Sequence, residues 1–174
     1  MNTKVEGGRI QLHWSSAILL RHSLEIPENG PAGIYLWGFK NRDREVLWYV
    51  GKATARTGVY RRLRQHFLNA MSGQYQIPQG FLNGEFVSDE CSKSGWSMTT
   101  TKGAVRERLA SWDSTLPILK AAHSFANSCF ARFAEFGGDA KQLSQVESAV
   151  IRDLKPLINK RRGSTRLRLE HLGL

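Results

Sequence analysis

Two short tripeptides each set a tyrosine beside a glycine and an aliphatic residue: Gly33-Ile34-Tyr35 and Tyr49-Val50-Gly51, the second followed by Lys52. Downstream stands an arginine-rich stretch, Arg61-Arg62-Leu63-Arg64-Gln65-His66, and far downstream come Glu147 and the run Leu154-Lys155-Pro156-Leu157-Ile158-Asn159. Tyrosine and histidine exchange protons. Arginine grips phosphate through a planar fork of donors. Taken singly, each piece is ordinary. A strand tyrosine usually packs a core, Arg-x-x-x-His on a helix is usually a solvated face, and a helical glutamate is usually surface. Their occurrence together, in this order, makes acid–base chemistry on a phosphate the reading to test.

These side chains need elements to hold them. Gly33 to Phe39 is aromatic and branched, which predicts a buried strand, and Val46 to Val50 predicts a second. The charged link of residues 40–45 predicts an antiparallel hairpin between them. Thr57 is the predicted N-cap of a helix running to about Met71, with Leu63, Phe67 and Ala70 as its buried stripe. Arg62 and His66 each precede a stripe residue by one and so stack beside the core face. Cys129 to Phe136 predicts a third strand. A helix follows from Ala140 to about Leu154, with Leu143, Val146, Val150 and Leu154 inward and Pro156 ending it. Glu147 flanks that stripe and should be held rigidly at the core's edge. Residues 10–22 predict a short helix, 72–103 loops with a short hairpin, and 104–112 and 117–126 further helix.

The chain has 174 residues and a formal net charge of +10, with a sequence pI of about 10.1. Residues 1–66 hold 11 Lys/Arg against 5 Asp/Glu, residues 67–128 hold 5 of each, and residues 129–174 hold 9 against 5. The positive charge lies in the outer thirds, where the motifs lie. Such a balance makes a polyanion the first partner to consider, because cations that neutralise phosphates release condensed counterions. Cys91 and Cys129 form no CxxC pattern, which argues against a disulfide framework or a cysteine zinc site. The N-terminus has no apolar signal region, and the longest aliphatic run, residues 17–20, is far too short to span a bilayer. A cytoplasmic protein is expected. The other histidines, His13, His22, His123 and His171, show no metal-ligand spacing, and the tryptophans read as core.

The motifs resemble the GIY-YIG endonuclease family. Gly33-Ile34-Tyr35 is present in full, and Tyr49-Val50-Gly51-Lys52 differs from the second signature by Val for Ile. Arg62-Leu-x-x-His66 and Glu147 through Lys155-Pro156 to Asn159 follow in the family's order. The match covers residues 31–70 and 128–160. The resemblance implies an α/β (α+β) fold, a small three-stranded antiparallel sheet flanked by helices, as one domain over 1–174. Residues 1–32 are then an N-terminal extension, 68–127 an insertion and 160–174 a basic tail.

The resemblance also implies roles. Glu147 would hold one divalent metal, Mg²⁺ or Mn²⁺, and a hard ion that keeps its waters needs only one or two carboxylates. Arg62 would bind the scissile phosphate. Tyr35 or Tyr49 would act as general base or position the attacking water. An unperturbed phenol has a pKa of about 10, so positive charge from Lys52, Arg62 or the metal would have to lower it. His66 would relay a proton from a tyrosine or hold it in place. Asn159, Arg61 and Arg64 are candidates for phosphate contact or for structural work.

The expected activity is metal-dependent cleavage of double-stranded DNA. No separate DNA-binding segment is evident, which favours a compact restriction-type enzyme over a repair or mobile-element nuclease. A palindromic target would call for a homodimer. The alternatives are an RNA-directed nuclease and a non-catalytic nucleic-acid binding module of the same fold.

Overall fold

The computed structural model describes residues 5–6, 9–27, 30–41, 44–72, 76–77, 96–97, 112–159 and 168–174. In chain order the elements are β1 (Val5–Glu6), β2 (Arg9–His13), β3 (Ile18–Leu19), a 3-10 turn (Leu20–Leu24), β4 (Gly33–Asn41), β5 (Arg44–Ala53), α1 (Val59–Met71), β6 (Gln76–Ile77), β7 (Trp96–Ser97), α2 (Trp112–Ser128), β8 (Cys129–Glu135), α3 (Ala140–Leu154) and β9 (Arg168–Leu172). The class is mixed α and β, as expected. The main sheet has four strands in the order β3-β8-β4-β5, each pair antiparallel. The three expected strands are β8, β4 and β5; the two-residue β3 adds an outer edge.

The sheet is covered on both faces, which is why β4 reads as an unbroken apolar run. Tyr35, Trp37 and Phe39 face a core shared with Leu63 and Phe67 of α1 and Phe125 of α2. Ile34 and Leu36 face a second core with Val146 and Val150 of α3 and with Ile10 and Leu12 of β2. Trp37 and Trp48 are wholly buried core residues, and Trp48 and Phe39 meet Phe125 edge-on. Such ring pairs contribute about 0.5–1.5 kcal/mol each beyond their buried area. Residues 112–127, expected within an insertion, thus supply α2, a wall of the first core.

Residues 10–22 do not form the single short helix expected: 10–13 and 18–19 are strand, and only 20–22 are helical, as the start of the 3-10 turn. Ile10 and Leu12 are buried while Arg9 and His13 are exposed, a period of two that only a strand satisfies. β2 pairs in parallel with β9, Ile10 opposite Leu169 and Leu12 opposite His171. Trp14 Nε1 donates to His171 Nδ1 at 3.1 Å. The end of the predicted basic tail is therefore a paired strand; residues 160–167 lie outside the described residues, as do 104–111 of the predicted helix at 104–112. Of the hairpin expected within 72–103, the described residues hold one antiparallel pair of two-residue strands, β6 and β7; the chain between them, 78–95, lies outside the described residues.

α3 spans the predicted range. Asp139 caps it, accepting from Gln142 N at 2.8 Å, while Gln142 Oε1 accepts from Asp139 N. Lys155, at φ 48°, is the only non-glycine residue with positive φ among the described residues. The chain reverses there and Pro156 follows, which lays residues 157–159 along the open edge of β5: Leu157 N donates to Leu47 O and Ile158 N to Trp48 O.

Candidate active site

The site is built around β5. Its alternation is broken once, by a β-bulge: Trp37 pairs with Tyr49 but Gly38 pairs with Leu47, so Trp48 is the extra residue. A bulge turns two consecutive side chains toward one face. Trp48 and Tyr49 both join the core on the α1 side. Unbroken alternation from Trp48 would have sent Tyr49 to the α3 face, away from Tyr35. The bulge is the device that puts the two tyrosines together, with ring centroids 6.3 Å apart.

Gly51 lies opposite Tyr35 in the register. A Cβ at position 51 would stand 2.5 Å from the Tyr35 hydroxyl and 2.8 Å from Tyr49 Cε1. The glycine of the second tripeptide thus leaves the space in which the Tyr35 phenol lies across β5. That hydroxyl is 2.8 Å from His66 Nε2. The His66 ring also lies 5.2 Å from Tyr49 and 5.7 Å from Trp37, centroid to centroid. Burial among these rings, with a smaller effect from the Arg62 guanidinium one turn away, pulls the His66 pKa down to about 3. At neutral pH the ring is uncharged. It can accept the Tyr35 proton in a hydrogen bond, but it is too weak a base to take that proton outright.

Arg62 and Arg61 are exposed on the first turns of α1. With Arg56, Thr57 and Gln65 they line a surface cleft of about 460 Å³. Arg64 is elsewhere. Its guanidinium donates to the carbonyls of Leu24 and Ile26 at 3.1 and 3.0 Å, tying α1 to the end of the 3-10 turn. Of its two sequence-level roles, the geometry supports the structural one. Thr57 is not the N-cap of α1. Gly58 takes that position at φ 65°, a conformation that favours glycine, and the Thr57 hydroxyl is spent within the preceding turn on Thr54.

Glu147 is on the other face of β5. It is 5% exposed, one of two buried polar residues among the described residues. Lys52, which pairs with Ile34 in the register and so faces α3, brings its Nζ to 3.0 Å from Glu147 Oε2 and donates to Ser144 Oγ at 2.8 Å. Ser144 was invisible to motif reading, although its place one turn before Glu147 on the same helix face is a signal that could have found it. Asn159 clips the edge between the two groups: Val50 N donates to its Oδ1 at 2.7 Å and its Nδ2 donates to Val50 O at 2.8 Å. Of the two roles expected of Asn159, this two-point grip on the β5 backbone supports the structural one.

The structure therefore brings Tyr35, Tyr49 and His66 together on the α1 face, beside Arg62. It brings Lys52 and Glu147 together on the α3 face. Both groups flank the four residues Tyr49 to Lys52 of one edge strand. Among the described residues no three His, Cys, Asp or Glu side chains cluster as a metal cage. A single buried carboxylate fits in kind a hard cation that keeps its waters. Cys129 is buried, with its thiol pKa pushed up by that burial, which makes it inert. No helix among the described residues is long and apolar enough to cross a membrane. No family model, curated protein or solved structure matches the chain.

Proposed function

We propose that the chain is a metal-dependent endonuclease of the GIY-YIG kind, hydrolysing phosphodiester bonds in double-stranded DNA and acting as a restriction-type enzyme. The observation that carries the reading is the hydrogen-bonded Tyr35–His66 pair packed against Tyr49, next to an arginine-lined cleft. A packing-only explanation accounts for buried aromatic rings. It does not account for a neutral histidine held on a phenol oxygen while its neighbour one turn earlier offers a cation to solvent.

In this reading Arg62 holds the scissile phosphate and offsets the charge that develops on it. Water attacks phosphorus and the bond to the leaving oxygen breaks. The water's proton passes to a tyrosine of the pair in its phenolate form, which the nearby Arg62 cation and a bound metal would favour, and the leaving oxygen takes a proton from solvent. Tyr49 is half-buried and Tyr35 fully buried, so solvent reaches Tyr49 directly. His66 orients Tyr35 and leaves the proton transfer to the phenols. Glu147 would hold the divalent cation, Mg²⁺ or Mn²⁺, with Lys52 sharing the same carboxylate. Bound there, the cation would supply Lewis-acid stabilisation of charge on the phosphate. Lys52 and Ser144 fix the Glu147 side chain in the meantime.

The test is cleavage of matched duplex DNA, single-stranded DNA and RNA in Mg²⁺, Mn²⁺ or EDTA. Metal-dependent cutting of duplex DNA, with discrete fragments from genomic DNA, supports the reading. Cutting of RNA alone would replace DNA as substrate, and binding without cutting would make the chain a binding module.

A further inference from the structure

The cleft beside Arg62, about 460 Å³, is lined by two further arginines, Arg56 and Arg61, although one bidentate guanidinium already suffices to grip one phosphate. We propose that Arg56 and Arg61 form a second phosphate subsite, which grips the phosphate next to the scissile one on the same strand. The proposal deepens the nucleic-acid reading of the same site and rests on it.

Three features carry it. First, the cations are sorted by the helix. Arg62 and His66 form one stripe of α1, and Arg62 is close enough to His66 to lower its pKa. Arg61 and Gln65 form the neighbouring stripe, offset by one residue, and both also line the cleft. Arg64, the remaining arginine of the cluster, is anchored away from it.

Second, Arg56 sits on a built platform. Thr57 N and Gly58 N both donate to Thr54 O, at 3.0 and 2.8 Å, and Thr54 N donates to Thr57 Oγ1 at 3.1 Å. Gly58 packs so closely on Gly30 that a Cβ there would stand 2.8 Å from Gly30 O. This hydrogen-bonded turn fixes the Arg56 backbone at the cleft that Arg61 also lines, so that only the side chain is left to order on binding.

Third, among the described residues the lining holds three arginines and no carboxylate. The first turn of α1 adds the positive end of the helix dipole. A cavity of this charge fits consecutive phosphates better than a neutral or cationic ligand.

The experiment measures binding of a fluorescent DNA duplex in EDTA over a range of salt concentrations. Wild type is compared with the double variant Arg56→Gln/Arg61→Gln. A control, Lys120→Gln/Lys141→Gln, removes two exposed positive charges outside the cleft. Each neutralised phosphate contributes about 0.9 to the salt slope. The arginine variant should lose about 0.9 of slope, the share of the one phosphate the subsite holds, and about tenfold in affinity, with an unchanged melting curve, while the control loses much less. Equal losses in the two double variants, or a wild type that does not bind, would overturn the subsite. A wild type that binds with the subsite's signature yet cuts nothing in Mg²⁺ or Mn²⁺ would remove the nuclease reading and leave the subsite standing.

Discussion

Tyr35 and His66 share a 2.8 Å hydrogen bond whose histidine stays neutral at every pH above about 3. The phenol's partner is an orienting group, held uncharged by the aromatic rings around it. Substituting His66 by Ala should lower kcat by about 100-fold, the cost of letting the Tyr35 phenol move out of position. The wild-type pH–rate profile should carry no step from His66 between pH 5 and 8. Histidine NMR titration checks this directly, since the His66 ring signals should not move through that range.

The same depressed pKa fixes a sign for stability. The unfolded chain protonates His66 near pH 6.5 and the folded protein near pH 3, so between these values the unfolded state binds more protons. His66's contribution is complete above pH 6.5 and is lost as pH falls toward 3, at a slope of up to about 1.4 kcal/mol per pH unit. Denaturant unfolding at pH 7, 6, 5 and 4 should show this slope in the wild type, and it should flatten in His66→Gln.

Gly51 is the position where a single methyl group should do most damage. Its Cβ would meet the Tyr35 hydroxyl and Tyr49 Cε1 at once. Overpacking of this kind costs about 1–3 kcal/mol. Gly51→Ala should therefore lower stability by that amount, and it should lower kcat further than the stability loss explains, because both phenols must move. Full activity in a folded Gly51→Ala protein would mean that the tyrosine placement is not what the site uses.

Asn159 should behave as a structural clip. Asn159→Ala leaves the N–H and C=O of Val50 without the amide that now satisfies both, a loss of about 1–3 kcal/mol for each group left unpaired. DNA affinity measured in EDTA, well below the melting temperature, should stay within a factor of two. A large drop in affinity with unchanged stability would instead make Asn159 a phosphate contact.

The Lys52–Glu147 pair should report cation binding without any cleavage assay. Lys52→Met removes the ammonium 3.0 Å from the carboxylate and leaves a buried charge that a divalent cation can neutralise. Its melting temperature should be lower than the wild type's in EDTA and should rise more steeply with Mn²⁺. Glu147→Gln should show no such rise. A thermal-shift titration of the three proteins decides it.

Much of this architecture is legible in the residues. The aromatic run of β4, the stripe of α1 and the Asp139-to-Pro156 frame of α3 each have a period and boundaries that only one element satisfies. Residues 10–22 misled because the polar–apolar alternation around Ile10 and Leu12 spans only the five residues of β2, and the partner that makes it a strand, β9, lies over 150 residues away. The site divides in the same way. The residue types at Tyr35, Tyr49, Arg62, His66 and Glu147 are local facts. The face of Tyr49, and so its meeting with Tyr35, is set by the bulge at Trp48, which depends on how β5 registers against β4. Ser144 and Arg56 carry no motif, and their places come from contacts across the fold.

The most direct test of the central claim is a plasmid assay. Wild type and Glu147→Ala are incubated with supercoiled plasmid in Mg²⁺, Mn²⁺ or EDTA, and the products are resolved on a gel. The account predicts that wild type converts plasmid to nicked or linear forms only with the metal, and that Glu147→Ala does not, although it binds DNA in EDTA as tightly as wild type. Metal-independent cutting, or Glu147→Ala cutting at the wild-type rate, would contradict it.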